Sequence, residues 1–245
     1  YNIADTLIVG QFIGSDALAA VGSAYTLMTF LTSVLIGLCM GSSSVFSYYF
    51  GQKDEAKMKN SILLSFLLIG SAALLMTFFV FAGLNPILRL LQTPDSLWEM
   101  MHGYVFVIFI GIFFVFLYNY FAFLLRALGN SVTPLWFLGV AAFLNIVLDL
   151  LFVIVFHWGV EGAAAATVIA QAFSGIGICL YTWYKEPALR PDIKKADFGK
   201  SAVKEVISFS FAASIQQSVM NFGILMIQGL VNSFGPAVMA AFAAA

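Results

Sequence analysis

Charge is what this sequence has least of. Its 245 residues include only 11 Lys or Arg and 12 Asp or Glu. At 9% charged, against about a quarter in soluble domains, it has too little polar material to cover a folded surface in water. A soluble enzyme and a disordered chain are thereby excluded. The net charge of −1 offers no basic footprint, so no nucleic acid partner is expected. Cysteine is nearly absent too: Cys39 and Cys179 both fall in apolar runs, which excludes a disulfide framework and leaves them as small packing residues. Two histidines, His102 and His157, with no H-E-x-x-H and no G-x-S-x-G, leave no nucleophile and base for an enzyme. Gly41-Ser42-Ser43-Ser44 lacks the second glycine of a nucleophile elbow and reads as helix packing. No metal cluster and no cofactor motif is visible.

What is present is apolar: 62% of the chain. Charges are missing from 17–52, 60–88, 100–125, 127–148, 162–184 and 206–245. Each gap exceeds the ~20 residues a transmembrane helix needs. Continuous runs such as Phe113-Phe114-Val115-Phe116 contradict the alternation of a membrane β-barrel. The fold class is therefore an all-α polytopic membrane protein. Seven spans are expected: 1–14, 20–49, 58–82, 98–126, 134–156, 162–184 and 206–234. Ten of the 11 basic residues, all but Arg89, fall on one side, which makes that side cytoplasmic. This places the protein in the cell membrane with the bilayer as its surroundings. The stretch Pro187–Lys204 reads either as a solvated loop or as an interfacial helix carrying Ile193, Phe198 and Val203. Opening at Tyr1 inside an apolar run and stopping at Ala240–Ala245, the sequence reads as part of a longer protein.

Residues 2–24 can be laid over 221–244 with one insertion, matching Asn2 to Asn221, Gly10 to Gly229, Ala17 to Ala237, Ala20 to Ala240 and Ala24 to Ala244. The seventh span then opens a second, parallel half. The expected organisation is a six-helix lobe over 1–184, its first helix truncated, a cytoplasmic linker over 185–205, and the start of a second lobe over 206–245.

Two acids, Asp5 and Asp149, lie well inside spans, where a carboxylate is costly and marks function by default. Counted from Gly14 and His157, both sit ~12–14 Å below the outer surface at the helical rise. Asn145 is one turn from Asp149 on the same face, and Thr167 and Gln171 enter the same outer half from the sixth span. Burial and a second carboxylate both favour a protonated acid, so such a cluster suits a proton. Na⁺ at Asp5 and Asp149 fits the same oxygens. Gln216, Gln217, Asn221 and Gln228 of the seventh span either line a cavity for substrate, together with Gln171, or bond between helices. Tyr118, Asn119 and Tyr120 read as interfacial anchors. Gly10/Gly14 and Gly37/Gly41 have the spacing of close helix packing. The 26 Phe residues divide between core and lipid.

These residues resemble the multidrug and toxic compound extrusion (MATE) family. The similar segments are Ala4-Asp5-Thr6 with Val9-Gly10-Gln11-Phe12-Ile13-Gly14, then Ala17–Gly22, Phe50-Gly51, and Arg126–Asn130 with Pro134. They continue with Asn145–Asp149 and Gly159–Thr167 with Gln171. The resemblance implies a twelve-helix antiporter of two lobes that exports small amphipathic, often cationic, organic compounds and works as a monomer. In the DinF-like branch the coupling network matches Asp5, Asn145, Asp149 and Thr167. Another branch carries a glutamate where this sequence has Gln216-Gln217, and Ser210-Phe211-Ala212 stands where many members have Gly-x-Pro. Two alternatives are a flippase for lipid-linked oligosaccharides and a membrane scaffold without transport. A flippase should line its cavity with Lys or Arg, and none lies deep inside a span here, since Lys59 and Arg126 stand at span ends.

Overall fold

A computed structural model describes residues 2–191 and 197–244. Among the described residues the structure is helical without strands. The helices are α1 (Asn2–Phe12), α2 (Ser15–Gly51), α3 (Glu55–Leu90), α4 (Trp98–Ile110), α5 (Ile112–Ala127) and α6 (Val132–Asp149). Then come a π-helical turn (Leu150–Val155), α7 (Gly159–Lys185), α8 (Lys200–Asn232) and α9 (Pro236–Ala244).

Four of these, α2, α3, α6 with its π turn, and α7, are long and apolar enough to cross a membrane. A fifth span forms if α4 and α5, bent by 45° at Gly111, count as one. Seven were expected. The first, expected as a truncated helix, is the 11-residue α1. The seventh, α8, has 33 residues, but Gln216, Gln217, Asn221, Gln228 and Asn232 dilute its apolar character. The helices end where local chemistry stops them. Asp54 accepts a hydrogen bond from the Lys57 N–H at 3.0 Å, capping α3 and holding its carboxyl below the usual carboxylate range. Residues 200–204 of the expected linker are the first turns of α8, so Val203 belongs to that helix. Ile193, Lys194 and Lys195 of the interfacial-helix reading lie outside the described residues.

In a bilayer, apolar burial does not drive helices together, so association rests on packing and hydrogen bonds. The seam between α2 and α8 shows both. A Cβ on Gly37 would fall 2.8 Å from the Ala213 carbonyl oxygen, and one on Gly41 2.6 Å from Ser210 Cα. The backbones touch because these positions have no side chain. Hydrogen bonds fasten the seam along its length. Tyr49 donates to Glu205 (2.7 Å), Ser42 and Ser210 pair (2.7 Å), and Ser214 donates to the Val34 carbonyl (3.1 Å). Toward the other end Thr26 donates to Gln228 (3.0 Å), and Gln228 to Asn232 (2.8 Å). Asn232 donates to Ser23 (2.9 Å) and to the Leu91 carbonyl (2.7 Å). Gln228 therefore serves interhelical bonding.

Gly10 of α1 faces Leu18 of α2, 3.4 Å from where a Cβ would stand, whereas Gly14, at φ 125°, packs no helix and is the turn that lets α2 leave α1. Gly235, at φ 89°, makes the corresponding break between α8 and α9. The interfacial role expected for Tyr120 is also corrected. Tyr120 is fully buried, donating to the Ile62 carbonyl at 2.6 Å and touching Ser65. Tyr118 and Asn119 donate to the Pro134 and Val115 carbonyls. Phe46, Phe109 and Phe116 are buried, while Phe78, Phe79 and Phe143 face outward, dividing the phenylalanines between core and lipid.

Candidate functional site

The carboxylates meet. α1 presents Asp5, α6 presents Asn145 and Asp149 one turn apart, and α7 presents Thr167, each at most 1% exposed. Thr167 Oγ1 donates to Asp5 Oδ2 at 3.0 Å, and Asn145 Nδ2 lies 3.4 Å from Thr167 Oγ1. Asp149 stands where α1 packs against α6 and its π turn, and neither of its oxygens has a hydrogen-bond partner.

The donor and acceptor balance defines what the site can hold. Asp5 Oδ1, Asn145 Oδ1 and both oxygens of Asp149 are buried without a partner. All four are acceptors, and a buried acceptor without a donor is costly. A small cation can be held by several of them at once and a proton can be shared by two, whereas an anion answers none. No third metal-ligating acid, His or Cys joins the pair among the described residues.

Local backbone sets this geometry. Immediately after Asp149 the α-helix widens into the π turn Leu150–Val155, an irregularity that recurs at functional sites. Gly162 of α7 admits Phe152 of that turn, whose Cβ would lie 3.2 Å from a Cβ at Gly162. Tyr104 is also buried, at 3% exposure, on α4, which packs against α7. Sequence reasoning missed it. The available signal was a polar ring six residues into the fourth span, near the depth of the acids.

The remaining expected site residues separate. Gln171, one turn beyond Thr167 on α7, is buried against Gly111, its Oε1 without a partner. Gln216 is exposed on α8, while Gln217 and Asn221 are partly exposed and joined by a bond from Asn221 Nδ2 to the Gln217 carbonyl (3.0 Å). Among the described residues α7 packs against α4, α5 and α6, and α8 against α2.

The MatE family model matches residues 1–151. The chain belongs to the MATE family. Within it, the chain is 34% identical to the probable multidrug resistance protein YpnP of Bacillus subtilis, covering 100% of this chain and 54% of that protein. It is 26% identical to the FAD transporter of Shewanella oneidensis, covering 82% of this chain and 46% of that one. The inward-facing conformation of a multidrug resistance MATE family transporter superposes with a TM-score of 0.90 at 22% identity, over 100% of this chain and 56% of that one. This MATE chain thus spans about half the length of the relatives it matches. It is a multi-pass membrane protein of a transporter family, which answers the enzyme alternative.

Proposed function

We propose that the full-length protein is a secondary antiporter that exports small amphipathic or cationic organic compounds by alternating access, driven by H⁺ or Na⁺ held between Asp5 and Asp149. The observation that carries this reading is the set of four buried, unpartnered acceptor oxygens on Asp5, Asn145 and Asp149. Binding the ion there neutralises the acids and lets α1, α6 and α7 close around them. Losing it toward the cytoplasm restores one negative charge and leaves both carboxylates ionised, which burial opposes, and the helices part. Thr167 orients Asp5, and Asn145 steadies Thr167. No cofactor beyond the coupling ion is needed.

The matching glycine breaks, α1–Gly14–α2 and α8–Gly235–α9, support two parallel lobes, the first over 1–184 and the second starting at 206 after the linker 185–205. We take the full-length protein to act as a monomer, each lobe completing the other. The flippase alternative finds no support, since no Lys or Arg reaches the buried cluster, whereas the scaffold alternative becomes an outcome of the test. That test is efflux of a fluorescent organic cation from vesicles holding the full-length protein, under separately imposed proton and sodium gradients. One gradient is expected to drive efflux, and its identity names the ion. Efflux that responds to neither, or no efflux at all, would leave the scaffold.

A further inference from the structure

A cavity of about 360 Å³ lies where α2 turns into α3, on the side that carries ten of the 11 basic residues. The end of α5 and the short helical turn Pro187–Leu189 after α7 complete its walls. Its floor is apolar, with Met58, Leu125 and Leu189 at most 6% exposed. Its rim carries both signs of charge. Lys53 and Glu186 both line the cavity, yet neither has an ion-pair partner among the described residues, where the pairs are Lys57–Asp54 and Lys59–Glu55. The other rim acid, Glu55, is thus answered by Lys59 at 3.5 Å. Lys53 and Glu186 share one cavity without closing on each other. Asn130 adds an amide whose Oδ1 accepts from the Thr133 N–H at 3.1 Å, which leaves its Nδ2 end to donate.

Lys53 stands there at a cost to the backbone. It lies just past the end of α2 at φ 58°, its N–H bonded to the Phe50 carbonyl and the Asp54 N–H to the Tyr49 carbonyl, both at 3.0 Å. Left-handed helix ends of this kind favour glycine, and α5 ends in the same way with Gly129 at φ 88°. The turn gains nothing from a lysine, so the reason for it lies in the side chain. An anion in the cavity would meet Glu186 and a cation would meet Lys53, whereas a zwitterion satisfies both. The place selects a lipid, because α2, α3, α5 and α7 all end here, at the level of the headgroups. We infer that the cavity binds the headgroup of a zwitterionic phospholipid with a primary ammonium, as in phosphatidylethanolamine. Its phosphate sits on Lys53 and the Asn130 amide, its ammonium on Glu186, and its glycerol over the apolar floor. A trimethylammonium headgroup has no N–H to give Glu186, and the ring of Tyr49 in the wall already carries Lys57 Nζ at 5.7 Å. The bound headgroup ties the α2–α3 turn to the segment after α7. The site is separate from Asp5 and Asp149 and does not depend on what they bind.

The test is thermal unfolding of the full-length protein in detergent, which reads the site without transport. Short-chain phosphatidylethanolamine, phosphatidylcholine and phosphatidylglycerol are titrated in separate arms, with free glycerophosphoethanolamine as a fourth. Phosphatidylethanolamine is expected to raise the melting temperature saturably, with half the effect at about tenfold lower concentration than either other lipid. Lys53→Gly relieves the left-handed turn, so its melting temperature without lipid should equal or exceed that of wild type. Its half-effect concentration should nevertheless rise about tenfold, the equivalent of one lost charge-assisted hydrogen bond. A role in the turn alone would not separate the two readouts. Glu186→Lys should turn the preference to phosphatidylglycerol, and Lys200→Gln, which removes a charge on the same side but outside the cavity, should change nothing. Equal responses to the three lipids, or an unchanged half-effect concentration in both Lys53→Gly and Glu186→Lys, overturns the site. A response to free glycerophosphoethanolamine as strong as that to the lipid overturns the membrane source. Should Lys53→Gly fail to fold, Glu186→Lys decides alone.

Discussion

Replacing Gly41 by alanine tests whether the α2–α8 seam is a true backbone contact. The added methyl would stand 2.6 Å from Ser210 Cα and closer still to the Phe209 carbonyl. Neither atom can swing away as a side-chain tip could, so the helices must separate by several tenths of an ångström. Overpacking of this kind costs about 1–3 kcal/mol. The adjacent Ser42–Ser210 bond of 2.7 Å stretches as well, at a further cost of about 1 kcal/mol. Against this stands the gain of about 0.5–1 kcal/mol from giving a helix alanine for glycine. The net expectation is a loss of roughly 1–3 kcal/mol. Gly139 supplies the control, because it sits on an exposed face of α6 with nothing within 4 Å of its vacant position. Gly139→Ala should be neutral or slightly stabilising. The assay is thermal unfolding of both full-length variants in one detergent. Equal melting temperatures for Gly41→Ala and Gly139→Ala would refute the seam.

Two further outcomes follow from buried or capping polar groups. Asn232→Leu strands the Leu91 carbonyl and leaves Gln228 and Ser23 without their shared partner, so it should destabilise by about 1–3 kcal/mol per stranded group in the same unfolding assay. Asp54→Ala removes the α3 cap and should lower stability at neutral pH. Because the folded carboxyl is held below its ordinary value, this contribution is present above that value and is lost as pH falls through the lowered one. The gap between wild type and Asp54→Ala should therefore close on acidification, and a gap constant with pH would contradict the cap.

Much of the architecture could be read from where charges are missing, because a bilayer penalises a charge more sharply than any propensity rewards a residue. The same penalty isolated Asp5 and Asp149, and counting helical rise from the outer turns brought Asn145 and Thr167 to them. What escaped notice carries no composition signal. Leu150–Val155 is a uniformly apolar run, so nothing in it announces a π turn rather than an α-helix. Tyr104 is one polar ring among many aromatics. Gly37 and Gly41 signalled a close contact but could not name α8 as the partner. Gln171 was grouped with Gln216, Gln217 and Asn221 because polarity in a span gives depth but not direction around the helix. Tyr120 was placed at the interface for the same reason, although its hydroxyl is satisfied internally. The seventh expected span is the 33-residue α8, whose polar residues thin its apolar character and bond it to α2.

The central claim is that Asp5 and Asp149 bind the coupling ion. Its most direct measurement is gradient-driven efflux by the full-length protein carrying Asp5→Asn or Asp149→Asn, each able to satisfy hydrogen bonds but unable to take up charge. The account predicts that both variants fold, bind the organic cation, and lose efflux driven by the ion gradient. Full gradient-driven efflux by either variant would contradict it.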